Sequence, residues 1–298
     1  MSLFWGVDLG GTKVEAVVLE DPRRPVPLAR VRISTEREKG YRHILNQIKT
    51  LIDKIVSDHS LPHPTSIGFG TPGSCDPITG LMRNSNTTCI NDQPLPADLA
   101  ELLNCQVEVQ NDANCFALAE AMMGAAKDCR VVFGTIFGTG VGGGVVVDGK
   151  ALTGRHGIAG EWGHTVMEPA GEACYCGKVG CLETLVSGPS LERFHFGRTG
   201  VKVGLAEVMK AGGTEAAAVE DRLLKYVGEA LGSVINLLDP DAVVLGGGVG
   251  QIPCLVERLP AELGKWVVHS HPSTPILLPQ LGDSAGVFGA ALLLADQN

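Results

Sequence analysis

Two segments that read as strand, glycine loop and strand constrain the fold of this chain more than any other feature. In the first, a short apolar run at 3–7 leads into the letters DLGGTK, and a β-branched run follows at 14–19. In the second, residues 131–137 run into GTGVGGG and return through residues 145–147. Because the pattern occurs twice, we predict duplicated lobes that face each other across a central cleft, each contributing one glycine hairpin.

The segments around these hairpins alternate between helical and extended patterns. From Tyr41 onward, apolar side chains recur at helical spacing, which predicts an amphipathic helix packed on a sheet. Alternation of this kind indicates α/β architecture. The other predicted elements are strands at 28–33, 66–69, 106–110 and 242–245, helices at 96–103, 113–123 and 215–238, a glycine turn at 246–248 and a helical tail from Ser284.

Charge and hydropathy exclude several classes of partner. The formal net charge is −9 and lysine and arginine do not cluster, so we expect no nucleic-acid partner. No apolar run of about 18 residues occurs, and the opening residues lack the pattern of a signal peptide, so we expect no membrane segment and a cytoplasmic location. An anionic cofactor would need local positive potential against this acidic average.

The segment DLGGTK fits neither a P-loop nor a dinucleotide-binding turn, because a strand follows it where those motifs have a helix. Gly10 and Gly11 can still bring backbone N–H groups close to phosphate oxygens. In that interpretation Asp8 orients hydrated Mg²⁺, and Thr12 and Lys13 bind or neutralise phosphate. The alternative is an ordinary hairpin turn.

The segment GTGVGGG places five glycines within seven residues of an apolar strand pair. Because glycine weakens a strand, close approach of a ligand to Thr139, Gly140 and Gly142 explains the pattern better than a glycine-rich bulge. A third glycine group, Gly246, Gly247 and Gly248, is predicted to lie against the adenosine of a nucleotide. A helix cap or a strand turn is the alternative for that group.

One histidine and three cysteines form the most specific chemical pattern in the chain. His164, Cys174, Cys176 and Cys181 lie close together in sequence and supply the Cys₃His donor set of structural zinc sites. A closed tetrahedral set leaves no position for water, so we predict structural Zn²⁺ that braces a glycine-rich loop. Chance clustering and a redox pair are the alternatives.

Three carboxylates are candidate functional groups: two lie beside this cluster in the sequence, and a third follows a predicted strand. Glu161 and Glu183 lie beside the metal ligands, where carboxylates would accept hydrogen bonds from neighbouring hydroxyls of a polyhydroxylated ligand; solvated surface is the alternative. Asp112 follows the strand at 106–110, at a sheet edge where it could accept a proton from an attacking hydroxyl. The alternative for Asp112 is a helix N-cap.

Taken together, the motifs resemble those of the ROK family of sugar kinases and repressors. The matching letters run from DLGGTK through TPG, NDAN, GTGVGGG, GEWGH, CYCGKVGCLE and DPDAVVLGGG to GDSAGVFGAA. The resemblance implies a two-lobed actin-like ATPase fold of the duplicated ribonuclease H-like type, with ATP and Mg²⁺ phosphorylating a hexose or hexose derivative. It also implies a homodimer. We place the small lobe at 1–118 plus 285–298, and the larger lobe with the zinc site at 119–284.

The resemblance also implies roles for individual residues. Asp112 matches the catalytic base, and His164 matches a sugar-binding position as well as a zinc ligand. The positions that match sugar contacts are Asn84, Asn111, Glu161, His164 and Glu183.

Individual segments of the sequence indicate which sugar is the substrate and whether the protein is a kinase or a regulator. The letters NSNTTCINDQPL and CYCGKVGCLETLVSG resemble manno(fructo)kinases, so fructose is the first expectation, with mannose or glucose also possible substrates. N-acetylglucosamine or N-acetylmannosamine is the alternative, and the interval between His164 and Cys174 is shorter than in the fructokinases. Family repressors carry a winged-helix segment before the first glycine loop, which here begins at Asp8, so a sugar-sensing or transcriptional regulator is the weaker expectation.

Overall fold

The computed structural model describes residues 3–295 and shows a mixed α/β protein. It divides into two compact units. Among the described residues, the first comprises 3–128, 144–159 and 280–295, and the second comprises Cys129–Gly143 and Gly160–Pro279. The lobe boundaries expected at 118 and 284 stay a prediction, and residues 296–298 of the expected small lobe lie outside the described residues.

The first unit is built on a five-stranded sheet with the order β3-β2-β1-β4-β7, beside a two-stranded pair, β5-β6. Its predicted strands are confirmed, each with slightly different ends. The elements up to the second hairpin are β1 Phe4–Leu9, β2 Lys13–Leu19, β3 Pro27–Ser34, α1 Tyr41–His59, β4 Ser66–Thr71, β5 Ser74–Cys75, β6 Met82–Arg83, α2 Leu95–Leu103, β7 Gln106–Asn111 and α3 Asp112–Met122.

Strand register brings the ends of three strands together. β1 pairs antiparallel with β2 but parallel with β4, where Asp8 is opposite Gly70. β4 in turn pairs parallel with β7, with Gly70 opposite Gln110 and Thr71 opposite Asn111. Because parallel strands end at the same sheet edge, Asp8 and the start of α3 at Asp112 lie along one edge of this sheet.

The second sheet repeats the order of the first. Its sequence of strands is β10-β9-β8-β11-β12, in which β11 pairs parallel with β8 and with β12. The elements are β8 Val131–Phe137, β9 Val141–Val147, β10 Lys150–Ala151, α4 Glu183–Val186, α5 Gly188–Thr199, α6 Leu205–Ala211, α7 Gly213–Leu238, β11 Ala242–Gly246, α8 Gly247–Gly250, α9 Cys254–Glu257, α10 Leu259–Glu262, β12 Ile276–Leu277 and α11 Ala285–Leu292.

This recurrence confirms the predicted duplication. In each sheet, three strands joined by hairpins are followed by two strands that arrive through longer connections. The glycine segments DLGGTK and GTGVGGG occupy the same place in both, between the first and second strands of each sheet. The chain therefore has the duplicated actin-like ATPase fold.

Helices cover the first sheet at close range. The buried face of α1 carries the periodic apolar side chains, including Ile44, Ile48 and Ile55, as the spacing predicted. α11 packs directly on β1 and β4, and a Cβ atom at Gly68 would collide with Ala290 O. Glycine on β4 therefore lets the last helix approach the strand backbone, which no larger residue allows.

Two sequence expectations about glycine need correction. The predicted turn at 246–248 is the end of β11 followed by the short helix α8, because Gly246 remains extended and Gly247 begins the helical turn. The return strand of the second hairpin starts at Val141, earlier than expected at 145. Gly144 lies within that strand, where a Cβ would come 2.7 Å from Ala113 O, so tight packing explains this glycine.

A search of the helices within residues 3–295 finds none with the length and apolar character that crossing a membrane requires.

Candidate functional site

Asp8 lies at the carboxyl edge of the first sheet, beside small residues. A Cβ at Gly70 would lie 3.6 Å from Asp8 Oδ1, and one at Gly286 would lie 3.7 Å from the same carboxylate. Burial, followed by the nearby Glu15 carboxylate, raises the pKa of Asp8 to about 6. A carboxylate in this setting gains from a cation, because a positive charge offsets both the burial and the neighbouring negative charge.

Glu15 is itself paired, although it is almost fully buried. It is opposite Asp8 in the β1–β2 ladder, and its carboxylate accepts hydrogen bonds from Arg30 and from Arg32 Nη2, the latter at 2.7 Å. The two arginines are on β3, the next strand of the sheet. The negative charge beside Asp8 is therefore held in place by the sheet.

The first glycine hairpin is a tight turn with basic side chains beside it. Gly10 N donates to Lys13 O at 2.9 Å, and Thr35 Oγ1 donates to Gly10 O at 2.7 Å. The Arg37 guanidinium lies within 2.9 Å of the position that a Cβ on Gly11 would take. Lys13 and Arg37 thus supply the local positive charge that an anionic ligand requires in an acidic chain.

Asn111 and Asp112 both cap helix α3. Asn111 Oδ1 accepts from Ala113 N at 2.9 Å, and Asp112 Oδ1 accepts from the same N–H at 2.8 Å. Asn111 Nδ2 donates to Gly73 O at 2.9 Å, which ties the TPG loop to the helix start. The capping alternative therefore describes real contacts, and these contacts also fix the orientation of the exposed Asp112 carboxylate.

Behind this edge lies the buried thiol of Cys115. Burial, then the charges of Asp8 and Asp112, raises its pKa far above the usual value. Both carboxylates therefore lie near one side chain of α3. The first unit brings together Asp8 and Asp112, for which we predicted different chemical roles.

Asn84 lies in an exposed loop of the first unit, with a left-handed backbone at φ 57°. The loop is braced by Asn91, whose Oδ1 accepts from Ser85 N at 2.9 Å and whose Nδ2 donates to Ser85 O at 3.0 Å. These two bonds position the neighbouring Asn84 without using its own amide.

In the second unit, the glycine hairpin is tied to a predicted sugar ligand. Glu183 Oε2 accepts a hydrogen bond from Val141 N at 2.9 Å. A Cβ on Gly140 would lie 2.5 Å from the same oxygen, so a larger residue there would displace the Glu183 carboxylate or the hairpin. Gly142 lies beyond the turn, within β9, and Thr139 is exposed at the tip.

The GEWGH segment is anchored to the same hairpin. Trp162 Nε1 lies 3.1 Å from both Thr135 Oγ1 and Gly142 O, and Thr135 Oγ1 donates to Gly142 O at 2.8 Å. The indole also packs edge-on against Phe133, with ring centroids 5.1 Å apart. Glu161 and His164, which flank this tryptophan, are therefore positioned by a buried aromatic cluster.

The four predicted metal ligands converge. The donor atoms of His164, Cys174, Cys176 and Cys181 all lie within 4.8 Å of one another. Cys176 Sγ is 3.6 Å from Cys181 Sγ, and Cys174 Sγ is 3.5 Å from His164 Nδ1. A tetrahedral zinc site has edges of about 3.8 Å between sulfurs and about 3.6 Å between sulfur and nitrogen, so this geometry fits zinc.

The other ring nitrogen of His164 points away from the sulfurs. His164 Nε2 is 3.0 Å from the Tyr175 hydroxyl and 3.9 Å from Glu161 Oε2. Burial raises the pKa of Glu161; the His164 imidazole lowers it and the Glu183 carboxylate raises it, both by less. Glu161, His164 and Glu183 therefore form one cluster of polar groups, as the sequence predicted.

A cavity of about 590 Å³ opens beside the second hairpin. It is lined by Gly138 and Thr139 of the hairpin, Gly248 of α8, and residues of α5 and α6 that include Glu192 and Met209. Gly188 N donates to Gly138 O at 2.9 Å and so joins α5 to the hairpin. The volume is in the range of small-molecule sites. Of the third glycine group, only Gly248 is among its lining residues, and the expected contact with a nucleoside stays a prediction.

Sequence reasoning missed several residues at these positions. Arg37 and Met209 gave no signal, because each belongs to an ordinary helical or loop pattern and reaches the site only by folding. Tyr175 could have been noticed, since it lies between two predicted metal ligands.

Comparison with known proteins agrees with this geometry. Residues 4–297 match the family described as the ROK family. The chain is 34% identical over 304 residues to an N-acetyl-D-glucosamine kinase of Vibrio atlanticus (strain LGP32), covering 98% of this chain and 99% of the relative.

Solved structures give the same result. A ROK hexokinase from Thermus thermophilus is similar with a TM-score of 0.87 and 33% identity, over 99% of this chain and 98% of that one. A ROK family glucokinase from Streptomyces griseus, in complex with glucose and AMPPNP, has a TM-score of 0.79 and 28% identity over the full length of both chains. The match over nearly the whole chain, together with the duplicated sheets and the Cys₃His cluster, shows that this protein belongs to the ROK family.

Proposed function

We propose that this member of the ROK family, an ATP-dependent sugar kinase, phosphorylates N-acetyl-D-glucosamine. The observation that carries the proposal is the 34% identity, over 98% of this chain, to an N-acetyl-D-glucosamine kinase. Fructose is the first expectation from residues 84–95, whose letters NSNTTCINDQPL resemble manno(fructo)kinases. The relatives described above favour the alternative, and the proposal follows them.

An unmodified aldohexose such as glucose is the second candidate. The similarity to the Thermus thermophilus hexokinase, at a TM-score of 0.87, favours it. Both candidates need the same polar cluster, because both present several hydroxyls on one ring. They differ in the group on the second carbon, a hydroxyl or an acetamide, which only an assay distinguishes.

The polar cluster in the second unit supports the sugar-binding role. Glu161 and Glu183 supply carboxylate acceptors, and His164 supplies a ring nitrogen between them and the sulfurs. A carboxylate can accept hydrogen bonds from two adjacent hydroxyls, an arrangement that suits a sugar ring. In the first unit, Asn84 and Asn111 are the proposed amide contacts.

We infer that the Cys₃His cluster holds structural zinc. The support is the agreement between the sulfur–sulfur and sulfur–nitrogen distances and the edges of a zinc tetrahedron. Four protein ligands close the coordination sphere, so the metal would brace the loop without binding substrate. Its effect on the site would come through His164, whose ring it would orient.

The phosphoryl-transfer groups are proposed as follows. In the second unit, the 590 Å³ cavity is the proposed nucleoside site, with Thr139 and Gly140 as proposed phosphate contacts. In the first unit, the Gly10–Lys13 hairpin is a proposed phosphate contact. Bound Mg²⁺ would offset phosphate charge, with Asp8 as the carboxylate that holds its hydration shell. Asp112 accepts the proton of the attacking sugar hydroxyl, a role that its fixed position at the start of α3 permits. The expected homodimer stays a prediction.

A coupled ADP-release assay tests the substrate. Zinc-loaded protein would be assayed with N-acetylglucosamine, N-acetylmannosamine, glucose, mannose and fructose, and the Asp112→Asn protein would report contaminating kinases. We expect the highest kcat/KM for N-acetylglucosamine. A higher kcat/KM for fructose or glucose would overturn the substrate, and an absence of ADP release with every sugar would overturn the proposed site.

A further inference from the structure

The backbone of Tyr175 is held in place on both sides, whereas its side chain is exposed to solvent. It lies between Cys174 and Cys176, both of which belong to the Cys₃His cluster, so the cluster holds the chain on either side of it. The residue itself is 72% exposed. A change in its position therefore needs only rotation of the side chain, which is fast and disturbs little packing.

The Tyr175 hydroxyl is hydrogen-bonded to Nε2 of His164, the ring nitrogen that points away from the cysteines. Its oxygen lies 3.0 Å from His164 Nε2, and the two rings meet edge to face with centroids 5.1 Å apart. The other nitrogen, Nδ1, faces Cys174 Sγ at 3.5 Å. With a metal on Nδ1, the imidazole carries its hydrogen on Nε2, so Nε2 donates and the Tyr175 oxygen accepts.

A single N–H group serves one good acceptor at a time. A sugar hydroxyl that binds His164 Nε2 must therefore take the place of the phenol oxygen, which has the same donor and acceptor chemistry. We propose that Tyr175 limits the affinity for sugar, because it occupies the sugar's hydrogen-bonding position on His164 and rotates away when sugar binds. This inference rests on the proposed function, because it takes His164 as a sugar ligand.

The competition has a consequence for ligand choice. A ligand must replace the Tyr175 contact and also bind neighbouring groups to be retained, and the neighbouring groups are the Glu161 and Glu183 carboxylates. A polyhydroxylated ring makes several such contacts, whereas an alcohol with one hydroxyl exchanges one hydrogen bond for another. Tyr175 therefore weakens all ligands by a similar factor without changing the ratio of their affinities, so a ligand needs several further contacts to stay bound at low concentration.

The test is Tyr175→Phe, which removes the competing oxygen and keeps the ring. The sugar would be the one that the wild-type protein phosphorylates fastest. Calorimetric titration of zinc-loaded protein without ATP gives Kd, and steady-state assays give KM and kcat. We expect Kd and KM to fall about threefold to tenfold, the effect of one competing hydrogen bond, while kcat changes by less than about twofold.

Two further variants make the outcome decisive. Tyr175→Ala removes the ring as well and should also lower the sugar Kd. Tyr41→Phe is the matched control, since it removes a phenol that donates to Asp98 at 2.7 Å, and its sugar Kd should match the wild type. Zinc content and Tm establish that each variant is folded.

An unchanged or higher Kd in both Tyr175 variants, at wild-type zinc content, would overturn the inference. That result leaves the wild-type sugar kinase activity intact, so it does not bear on the proposed function. A wild-type protein that phosphorylates no sugar would instead remove the premise that His164 binds one.

Discussion

Glu183 Oε2 accepts a hydrogen bond from Val141 N at 2.9 Å, which joins a residue beside the cysteine cluster to the second glycine hairpin. The same carboxylate oxygen lies 2.5 Å from the position of a Cβ on Gly140. One proposed sugar ligand and one proposed phosphate-binding turn are therefore adjacent and share a contact. A change in either should affect the binding of both substrates.

Gly140→Ala tests that relationship. The added methyl group cannot fit 2.5 Å from Glu183 Oε2, so the hairpin or the carboxylate must move. We expect kcat/KM for sugar to fall by at least about tenfold, with KM for ATP rising as well. Gly197→Ala in α5 is the control, because a Cβ there meets nothing within 4 Å and alanine favours a helix. Equal kcat/KM in both variants would argue against the shared contact.

Asp112→Asn tests the proposed base. The amide keeps the size of the carboxylate, so sugar and ATP should still bind, but it cannot accept the hydroxyl proton. Turnover should fall by about two orders of magnitude or more. Asp53→Asn, on the exposed side of α1, serves as the control and should keep full turnover. Turnover near the wild-type value in the Asp112 variant would contradict the assignment.

Loss of the proposed zinc should weaken sugar binding and stability together. In Cys176→Ser, a thiolate ligand is lost, so we expect zinc content below one per chain, a lower Tm and a higher sugar KM, with kcat less affected. Cys105→Ser, a cysteine outside the cluster, is the matched control. Metal analysis, thermal unfolding and steady-state kinetics check these outcomes, and an unchanged Tm and KM would show that the cluster has no structural role.

Asp8→Asn should raise the stability of the protein at pH 8 and lower its kinase activity. Because the folded-state pKa of Asp8 is raised from 3.8 to about 6, its contribution to stability is fully present below pH 3.8 and is lost as pH rises through 6. Without nucleotide, the variant should therefore be more stable than wild type at pH 8, by about 3 kcal/mol, and no more stable at pH 4. Kinase activity should fall because the variant lacks the carboxylate proposed to hold hydrated Mg²⁺.

Denaturant unfolding at both pH values measures this difference. The comparison is between variant and wild type at each pH, so that other titrating groups cancel. A gain of the same size at pH 4 and pH 8 would show that the buried charge of Asp8 is not its source.

Glu120→Gln tests a buried carboxylate that the sequence did not single out. Glu120 is 0% exposed and accepts from Ala125 N, Gln280 N and Leu281 N at 2.8, 3.1 and 2.9 Å. A glutamine must turn an N–H₂ group toward one of these donors, so we expect a loss of about 2–3 kcal/mol in the free energy of unfolding. Glu101→Gln, at an exposed position on α2, should change the free energy of unfolding little. An equally small change in Glu120→Gln would contradict this account.

Local patterns in the sequence predicted most of the elements. The spacing of apolar residues in α1 and the β-branched runs of β1, β2 and β8 depend on contacts within a few residues, so they can be recognised in the sequence. The ends of strands were less predictable. β9 begins inside the glycine run because backbone pairing, which needs no side chain, continues through glycine.

The Cys₃His set was predictable for the same reason. His164 and the three cysteines are near one another in the chain, and a short loop can bring them together whatever the rest of the fold does. The duplicated glycine hairpins and the position of Asp112 at the end of a strand were likewise determined by the sequence itself.

Only the tertiary structure decided which distant groups meet. The bond between Glu183 and Val141 joins residues 42 positions apart, and the cavity at Gly138 needs α5, α6 and α8 packed beside the hairpin. Such contacts depend on how helices pack on a sheet, which sequence spacing does not determine. The Tyr175 contact with His164 Nε2 also emerged only in three dimensions, because it depends on the side-chain direction that the cysteine cluster imposes.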